Sequence, residues 1–121
     1  MAHKRPDRIA GMVHNELSRL LREDVSDPRI GSVSVTSVRL TPDLKRAAVR
    51  VLPLGGEGDR AEVLAGLLAA AGYLRGRVGR ALGLRHAPAL IFELDEHLEE
   101  AVRMTSMLNN LVPQEQEGAE E

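Results

Sequence analysis

Residues 68–85 contain a cluster of arginines and glycines with no acidic residue among them. The cluster comprises Arg75, Arg77, Arg80 and Arg85 together with Gly72, Gly76, Gly79 and Gly83. Guanidinium groups form paired hydrogen bonds with phosphate oxygens, and glycine on an exposed helix face lets a neighbour approach the backbone closely. The pattern therefore predicts a surface that contacts the phosphates of a nucleic acid. The alternative, in which glycine merely replaces alanine in a tolerant helix, stays open.

Charge is distributed unevenly along the 121 residues. Residues 1–91 carry 15 Lys and Arg against 9 Asp and Glu, whereas residues 92–121 carry a single Arg against 9 acidic residues. A basic body attracts polyanions, chiefly nucleic acid. A solvated surface of mixed charge is the other interpretation of the same composition.

Residue types that catalyse reactions or hold cofactors are sparse. The four histidines lie in no nucleophile or zinc motif, and the chain has no cysteine. Four residues near the end of the third predicted strand could gather around a metal ion: Glu93, Asp95, His97 and Glu99. The favoured interpretation of this group is a solvated acidic face. We therefore expect no enzymatic activity, no cofactor and no metal site.

The apolar spacing predicts a first helix over residues 6–25. Its apolar stripe consists of Ile9, Met12, Val13, Leu17, Leu20 and Leu21. Pro6 suits the first turn of a helix. Arg8, Arg19 and Arg22 fall together on the opposite side and are candidate phosphate contacts.

A hairpin of two strands is predicted next, over residues 32–40 and 44–54. The alternation of the first strand slips near Thr36-Ser37, which indicates a β-bulge. The segment from Thr41 to Leu44 has proline at the second position of a turn. In the second strand the apolar Ala47, Val49 and Val51 alternate with Arg46, Ala48 and Arg50. One face is therefore apolar and the other basic, and Lys45 and Arg46 join the candidate contacts.

The remaining chain predicts a helix over 60–70, a second helix to about Leu84, a third strand opened by Pro88, and a helical segment over 97–109. Gly72 separates these two helices. Free backbone N–H groups at the start of the second helix could bind phosphate. The alternative is a simple corner between two packed helices. The resulting domain spans residues 1–111, and residues 112–121 form an acidic, disordered tail. With no signal peptide or apolar span in view, the sequence predicts a cytoplasmic protein.

Aromatic side chains are almost absent from the chain. Tyr73 and Phe92 are its two aromatic residues. Because single-strand binders stack bases on exposed rings, readout of stacked bases is not expected. Arginine contacts to phosphate and to shape fit a folded RNA better.

The element order α-β-β-α-α-β resembles the type II KH fold, an RNA-binding module. More narrowly, residues 5–110 resemble the ribosome-binding factor A family. The most specific similarities are the turn Asp27-Pro28-Arg29, the hairpin Thr41-x-Asp43-Leu44-x-x-Ala47 and the exit Leu82-x-Leu84-Arg85-x-x-Pro88. The chain departs from the family at Ala89, where Glu is frequent, and at His97, where Ser is frequent.

The resemblance implies an α+β domain whose three-stranded sheet has its helices packed on one face. An Ala-x-Gly kink replaces the GxxG loop of other KH domains in this family, and Ala70-Ala71-Gly72 matches it. The string from Gly76 to Gly79 spells GxxG but lies inside the second helix. Ala70 and Gly72 are therefore added to the candidate RNA-binding residues, with Gly76 and Gly79.

The resemblance also implies a function. Members of the family bind the free small (30S) ribosomal subunit, assist late maturation and 5′-end processing of 16S rRNA, and matter most in the cold. They act without catalysis, and a GTPase assists their release. We expect a monomer that does not engage membranes. The alternative is a protein-interaction module that acts through residues 97–109.

Overall fold

The computed structural model describes residues 5–54 and 59–111, in which helices and strands alternate around one sheet. In chain order the elements are α1 (Arg5–Glu23), β1 (Val33–Leu40), β2 (Arg46–Pro53), α2 (Arg60–Leu82), β3 (Ala89–Leu94) and α3 (Glu96–Leu111). The sheet order is β1-β2-β3, with β1 antiparallel and β3 parallel to the central β2. This confirms the predicted α+β class with a three-stranded sheet.

The hairpin has the irregularity and the turn that its sequence predicts. The register of β1 against β2 shifts between Val35 and Ser37, which places the bulge at Thr36. In the turn, Leu44 donates its N–H to the Thr41 carbonyl at 2.8 Å and adopts a φ of 64°. The alternation of β2 is confirmed as well, since Ala47, Val49 and Val51 are fully buried and its arginines are exposed.

Helix α1 confirms the predicted first helix to within two residues at each end. The side chains of its stripe that are fully buried are Val13, Leu17 and Leu20. They pack with the inward residues of the sheet and with α2 in one core. Burying each such aliphatic side chain contributes roughly 1.5–3 kcal/mol to folding.

Helix α2 is continuous, so the predicted break at Gly72 is wrong. It runs unbroken through Ala70 and Gly72, and Asp59 caps its start by accepting the Ala61 N–H at 2.9 Å. A glycine inside a helix costs only about 0.8–1 kcal/mol relative to alanine. Buried Leu67 and Leu74 hold the two halves of the helix on the same core, which outweighs that cost. No helix N-terminus exists at Gly72 to bind phosphate.

The end of α2 explains one glycine of the cluster. Gly83 has a φ of 67° and serves as the C-cap, and the Leu84 N–H donates to the Gly79 carbonyl at 2.9 Å. A left-handed residue at this position lets the chain leave the helix while satisfying its last carbonyls. Gly83 therefore directs the following loop, residues 84–88, back toward the start of β3.

Helix α3 confirms the predicted segment 97–109 and extends it at both ends. Asp95 caps it, because its carboxylate accepts the Leu98 N–H at 3.0 Å and the Thr36 hydroxyl at 2.7 Å. An ion pair between Arg60 and Glu99 joins α3 to the start of α2. The side chains of residues 100–110 are all exposed. Polar contacts at its N-terminal end thus position this helix.

Replacing Asp95 by alanine is expected to speed amide exchange in α3 while leaving exchange in the core strands unchanged. The hydrogen bond from Thr36, followed by that from the Leu98 N–H, lowers the pKa of Asp95. A carboxyl with a lowered pKa stabilises the folded state above its ordinary pKa, and this contribution disappears as pH falls through the lowered value. The difference between wild type and variant should therefore vanish on acidification. Hydrogen exchange measured across pH tests this, and equal rates at pH 7 contradict it.

The predicted acidic tail lies outside the described residues. Its boundary at residues 111 and 112, and the division into a domain and a tail, remain predictions.

Candidate nucleic-acid interface

Basic side chains from four segments converge on one side of the molecule. They line two adjoining clefts of about 560 and 410 Å³ that share Arg75, Leu84, Arg85, His86 and Ala87. We call the pair the basic groove. Its cationic residues are Arg5 from α1, Lys45 from the hairpin, Arg75 and Arg80 from α2, and Arg85 from the following loop.

Hydrogen bonds to backbone carbonyl groups hold the groove together. The parallel pairing of β2 with β3 brings the Lys45 carbonyl to the Ala89 N–H at 2.9 Å. The Arg75 Nε–H donates to the Ala87 carbonyl at 3.0 Å, which ties α2 to the same loop. The hairpin turn, α2 and the loop before β3 are therefore fixed relative to one another. This preorganisation reduces the entropy lost when a ligand binds.

The groove is strongly positive. Among the described residues, none of its five cations has a carboxylate oxygen within 4.0 Å. Of the described residues that line it, Asp43 is the one carboxylate. Hydrogen bonds from the Thr41 hydroxyl and the Lys45 N–H lower the pKa of Asp43, so it stays ionised and holds the turn. The guanidinium groups are left available to an incoming anion.

Arg77 lies outside the groove, contrary to its predicted place beside Arg75 and Arg80. Its guanidinium carbon lies 5.7 Å from the centre of the Tyr73 ring, and it donates to the Tyr73 hydroxyl at 3.2 Å. The same guanidinium is 3.5 Å from Asp24, whose carboxylate also accepts the Tyr73 hydroxyl at 3.2 Å. Arg77 therefore braces α2 against the C-terminal end of α1.

The candidate arginines of α1 are separated from the groove. Arg19 pairs with Glu16 at 2.6 Å and with Glu23 at 3.3 Å, and its hydrogen bond lowers the pKa of Glu16. Arg22 lies 3.5 Å from Glu23. At 1.5 Å per residue, both are roughly 20–25 Å along the helix from the groove end of α1. The arginines at this end of α1 are therefore paired with carboxylates.

Two further candidates lie elsewhere on the surface. Arg8 is exposed on the first turns of α1, and Arg46 is exposed on the face of the sheet opposite the helices. Ala70 is half-buried against the core and does not line the groove. The predicted RNA-binding set is therefore divided among several surfaces.

The glycines do not form the continuous bare track that a helical wheel predicts. Gly72, Gly76 and Gly79 all line the groove, but Gly79 is buried, and a Cβ added there would lie 3.0 Å from the Ala87 Cβ. Gly79 therefore permits the close packing of the loop before β3. A sequence signal for this role is absent, because it depends on how that loop folds back.

Gly66 is a close-packing position that the sequence did not reveal. A Cβ there would lie 2.8 Å from Ile30 Cγ1 and 3.3 Å from Arg29 Cβ. The turn that follows α1 thus packs directly on the α2 backbone. Arg5 and His86 were likewise missed as groove residues, since only the tertiary fold brings them together.

Alanine at Gly72 and Gly76 is expected to stabilise the protein by about 0.8–1 kcal/mol each. Both positions are helical, and the added Cβ would meet nothing at Gly72 and only the Arg80 guanidinium, at 3.7 Å, at Gly76. Gly83→Ala is the contrasting control and should destabilise, because its φ is 67°. Thermal and urea unfolding measure these changes. A loss of stability at Gly72 contradicts the prediction.

Three comparisons with known proteins agree with one another. The family model described as "Ribosome-binding factor A" matches residues 5–108. Proteins named ribosome-binding factor A from Desulforamulus reducens and Desulfitobacterium hafniense are 42% and 40% identical to this chain, over 115 and 117 residues. The first match covers 95% of each chain, and the second covers 97% of this chain and 93% of the relative.

Solved structures show the same likeness. The crystal structure of ribosome-binding factor A from Thermus thermophilus matches with a TM-score of 0.67 and 22% identity, covering 74% of this chain and 93% of that one. A homology model of the Thermus thermophilus factor, fitted into a cryo-EM map of a 30S complex, matches with a TM-score of 0.53 and 27% identity. That match covers 68% of this chain and 90% of the other.

Two features typical of other protein classes are absent from the described part of the chain. No group of three or more His, Cys, Asp or Glu residues is placed there to hold a metal ion. None of the described helices combines the length and apolar character needed to span a bilayer.

Proposed function

The chain belongs to the ribosome-binding factor A family, and on that basis we propose that it binds the small ribosomal subunit through 16S rRNA. It assists late maturation of the subunit, including processing of the 5′ end of 16S rRNA, and it catalyses no reaction itself. The name of the family and the 30S complex of its Thermus thermophilus member support this proposal. Action in the cytoplasm as a monomer, importance in the cold, and release with the help of a GTPase are parts of the same proposal.

The basic groove is the observation that carries the proposal. Its five cations come from four segments and have no carboxylate within 4.0 Å among the described residues. Arginine stays protonated at any physiological pH, so it serves binding rather than proton transfer. A fixed set of guanidinium groups fits several phosphates of a folded RNA at once.

The mode of recognition follows from the side chains around the groove. Phe92 is half-buried against the core, and Tyr73 is engaged by Arg77 and Asp24. Tyr73 is 48% exposed, but Arg77 lies over its ring, and neither aromatic side chain lines the groove. Base stacking is the usual means of holding single strands. We infer contacts to phosphate and to RNA shape, which position a factor on structured rRNA.

A salt series tests the proposal. Binding of the protein to purified 30S subunits should weaken steeply with added KCl, because each phosphate contact changes the slope of log K against log [salt] by about 0.7–0.9. Five groove cations predict a slope of roughly −3 to −5. A flat dependence would contradict an interface made of phosphate contacts.

A second candidate function rests on α3. Its exposed apolar side chains are Leu98, Val102, Met104, Met107 and Leu108, which are 38–60% accessible. Such a face suits a protein partner. Docking through it should be insensitive to salt, so the same series separates the two functions.

A further inference from the structure

One face of the sheet carries arginines and is left open by α1 and α2. Because side chains alternate along a strand, the residues on either side of the buried ones point away from the core. These outward residues are Ser37 and Arg39 of β1, Arg46, Ala48 and Arg50 of β2, and Ile91 and Glu93 of β3. All of them are exposed except the half-buried Ala48. We call this set the open face.

The three arginines of the open face form a compact triangle. Arg39 pairs in register with Ala48, midway between Arg46 and Arg50 on the neighbouring strand. Strand geometry separates the backbones of Arg46 and Arg50 by about 13 Å and places Arg39 about 5 Å to one side. Between Arg46 and Arg50 on this face lies only the small side chain of Ala48.

Acidic neutralisation of the open face is confined to its Arg50 end. Of the residues that form the face, Glu93 is the one carboxylate; it lies 3.5 Å from Arg50, and both side chains are at least half exposed. An exposed pair of this length contributes little and rearranges easily. Asp95 and Glu96 line a cleft with Arg50, and the pKa of Asp95 is lowered by its hydrogen bonds and, less strongly, by the charge of Arg50. Within the described ranges, Arg39 and Arg46 have no carboxylate within 4.0 Å. The open face is therefore a positive surface in its own right.

The open face joins the basic groove at one edge of the molecule. Lys45 lines the groove, and the next residue, Arg46, belongs to the open face. Helix α3 lies beside the other end of β2, where it shares a cleft with Leu52, Pro53 and Leu54. Positive charge thus continues from the helical side of the sheet, around the hairpin turn, onto its opposite side.

We propose that the open face is a second RNA-binding surface, which contacts the phosphates of an rRNA segment different from the one in the groove. The inference rests on the proposed function and extends it, since a protein with positive surfaces on both sides of its sheet holds two RNA segments together. Ile91 is the one large apolar side chain of the face, and no aromatic ring lies on it. Backbone phosphates of structured RNA, rather than stacked bases, are therefore its ligand.

The test compares variants that differ only in where a charge is removed. R39Q, R46Q and R50Q are made singly and together, with R22Q as the matched control, since Arg22 lies beside Glu23 away from both surfaces. Binding to purified 30S subunits is measured from about 50 to 200 mM KCl, the range in which phosphate contacts change affinity most visibly. Deproteinised 16S rRNA is the second probe. Melting temperature confirms that each variant folds.

The triple variant is expected to lower the salt slope by about 2–3 units on both probes. Between 50 and 200 mM salt, wild type should then lose roughly 15–65-fold more affinity than the triple variant. R22Q should leave the slope unchanged, and replacement of the same three arginines by lysine should retain it.

Three results would overturn the proposal. If the slope is unchanged in the triple variant but reduced by groove substitutions, the open face does not bind RNA and the proposed function still stands. If the slope is unchanged in both sets of variants, the groove does not contact phosphate either. If the triple variant loses affinity for 30S subunits but binds deproteinised 16S rRNA as wild type does, the open face contacts a ribosomal protein instead of RNA.

Discussion

Combined replacement of Arg75, Arg80 and Arg85 by glutamine is expected to lower the salt slope of 30S binding by about 2–3 units. Each lost phosphate contact removes the counterion release that accompanies it, so affinity at low salt should fall most. The three arginines come from α2 and the loop after it, and among the described residues none has a carboxylate within 4.0 Å. Binding isotherms at several KCl concentrations measure the effect.

The choice of residues keeps a binding defect separate from a folding defect. Arg77 is left intact because it braces α2 against Tyr73 and Asp24. Exposed arginines outside such contacts, here Arg80 and Arg85, change stability by less than about 0.5 kcal/mol when replaced. Arg75 donates to the Ala87 carbonyl, so the melting temperature of the triple variant and an Arg80, Arg85 double variant show whether its loss disturbs the loop. R22Q removes one charge from the far end of α1 and serves as the single-charge control. A triple variant with wild-type slope would show that the groove does not contact phosphate.

Leu67→Ala is expected to destabilise the protein by about 2–5 kcal/mol, the usual cost of deleting a fully buried leucine. Leu67 is 0% exposed and lies where α2 packs on the core. Its truncation leaves a cavity that the neighbours fill only in part. Urea unfolding should show a lower midpoint, and thermal unfolding a melting temperature lower by roughly 10 °C or more.

The next residue along α2 provides the control for this prediction. Leu68 is 75% exposed, so Leu68→Ala should change stability by no more than about 0.5 kcal/mol. The two variants remove the same atoms from the same helix and differ only in burial. Equal effects would show that α2 does not present the face described above.

Local patterns in the sequence predicted the elements whose stability is local or whose apolar faces are regular. The alternation of β2 and the bulge at Thr36 were found in the structure, as was the stripe of α1 except for Met12, which is 45% exposed. Gly72 was misleading because its helix-breaking tendency is worth only about 1 kcal/mol, far less than the packing of α2 on the core. Propensity decides such a position only where tertiary contacts are few.

The candidate site was predicted less completely than the fold. Arg75 and Arg80 share one side of α2, so their common surface followed from helical geometry, and Arg85 follows closely in sequence. Lys45 reaches the same groove because β2 and β3 pair in parallel, and Arg5 reaches it because α1 packs on β1 and α2. Arg77 left the predicted set because Asp24, distant in sequence, lies against it. Contacts between distant residues thus decided both the additions and the exclusion.

The parallel pairing of β2 with β3 also has a consequence for how fast the protein folds. The hairpin of β1 and β2 closes a short turn, whereas Arg46 meets Ala89 only after the whole of α2 has been placed between them. Loop closure over that length slows pairing, and such long-range contacts form late. The groove spans this junction, since Lys45 precedes β2 and His86 precedes β3. Refolding should therefore be slower than that of an all-helical domain of this length, and RNA affinity should return no earlier than helical circular dichroism.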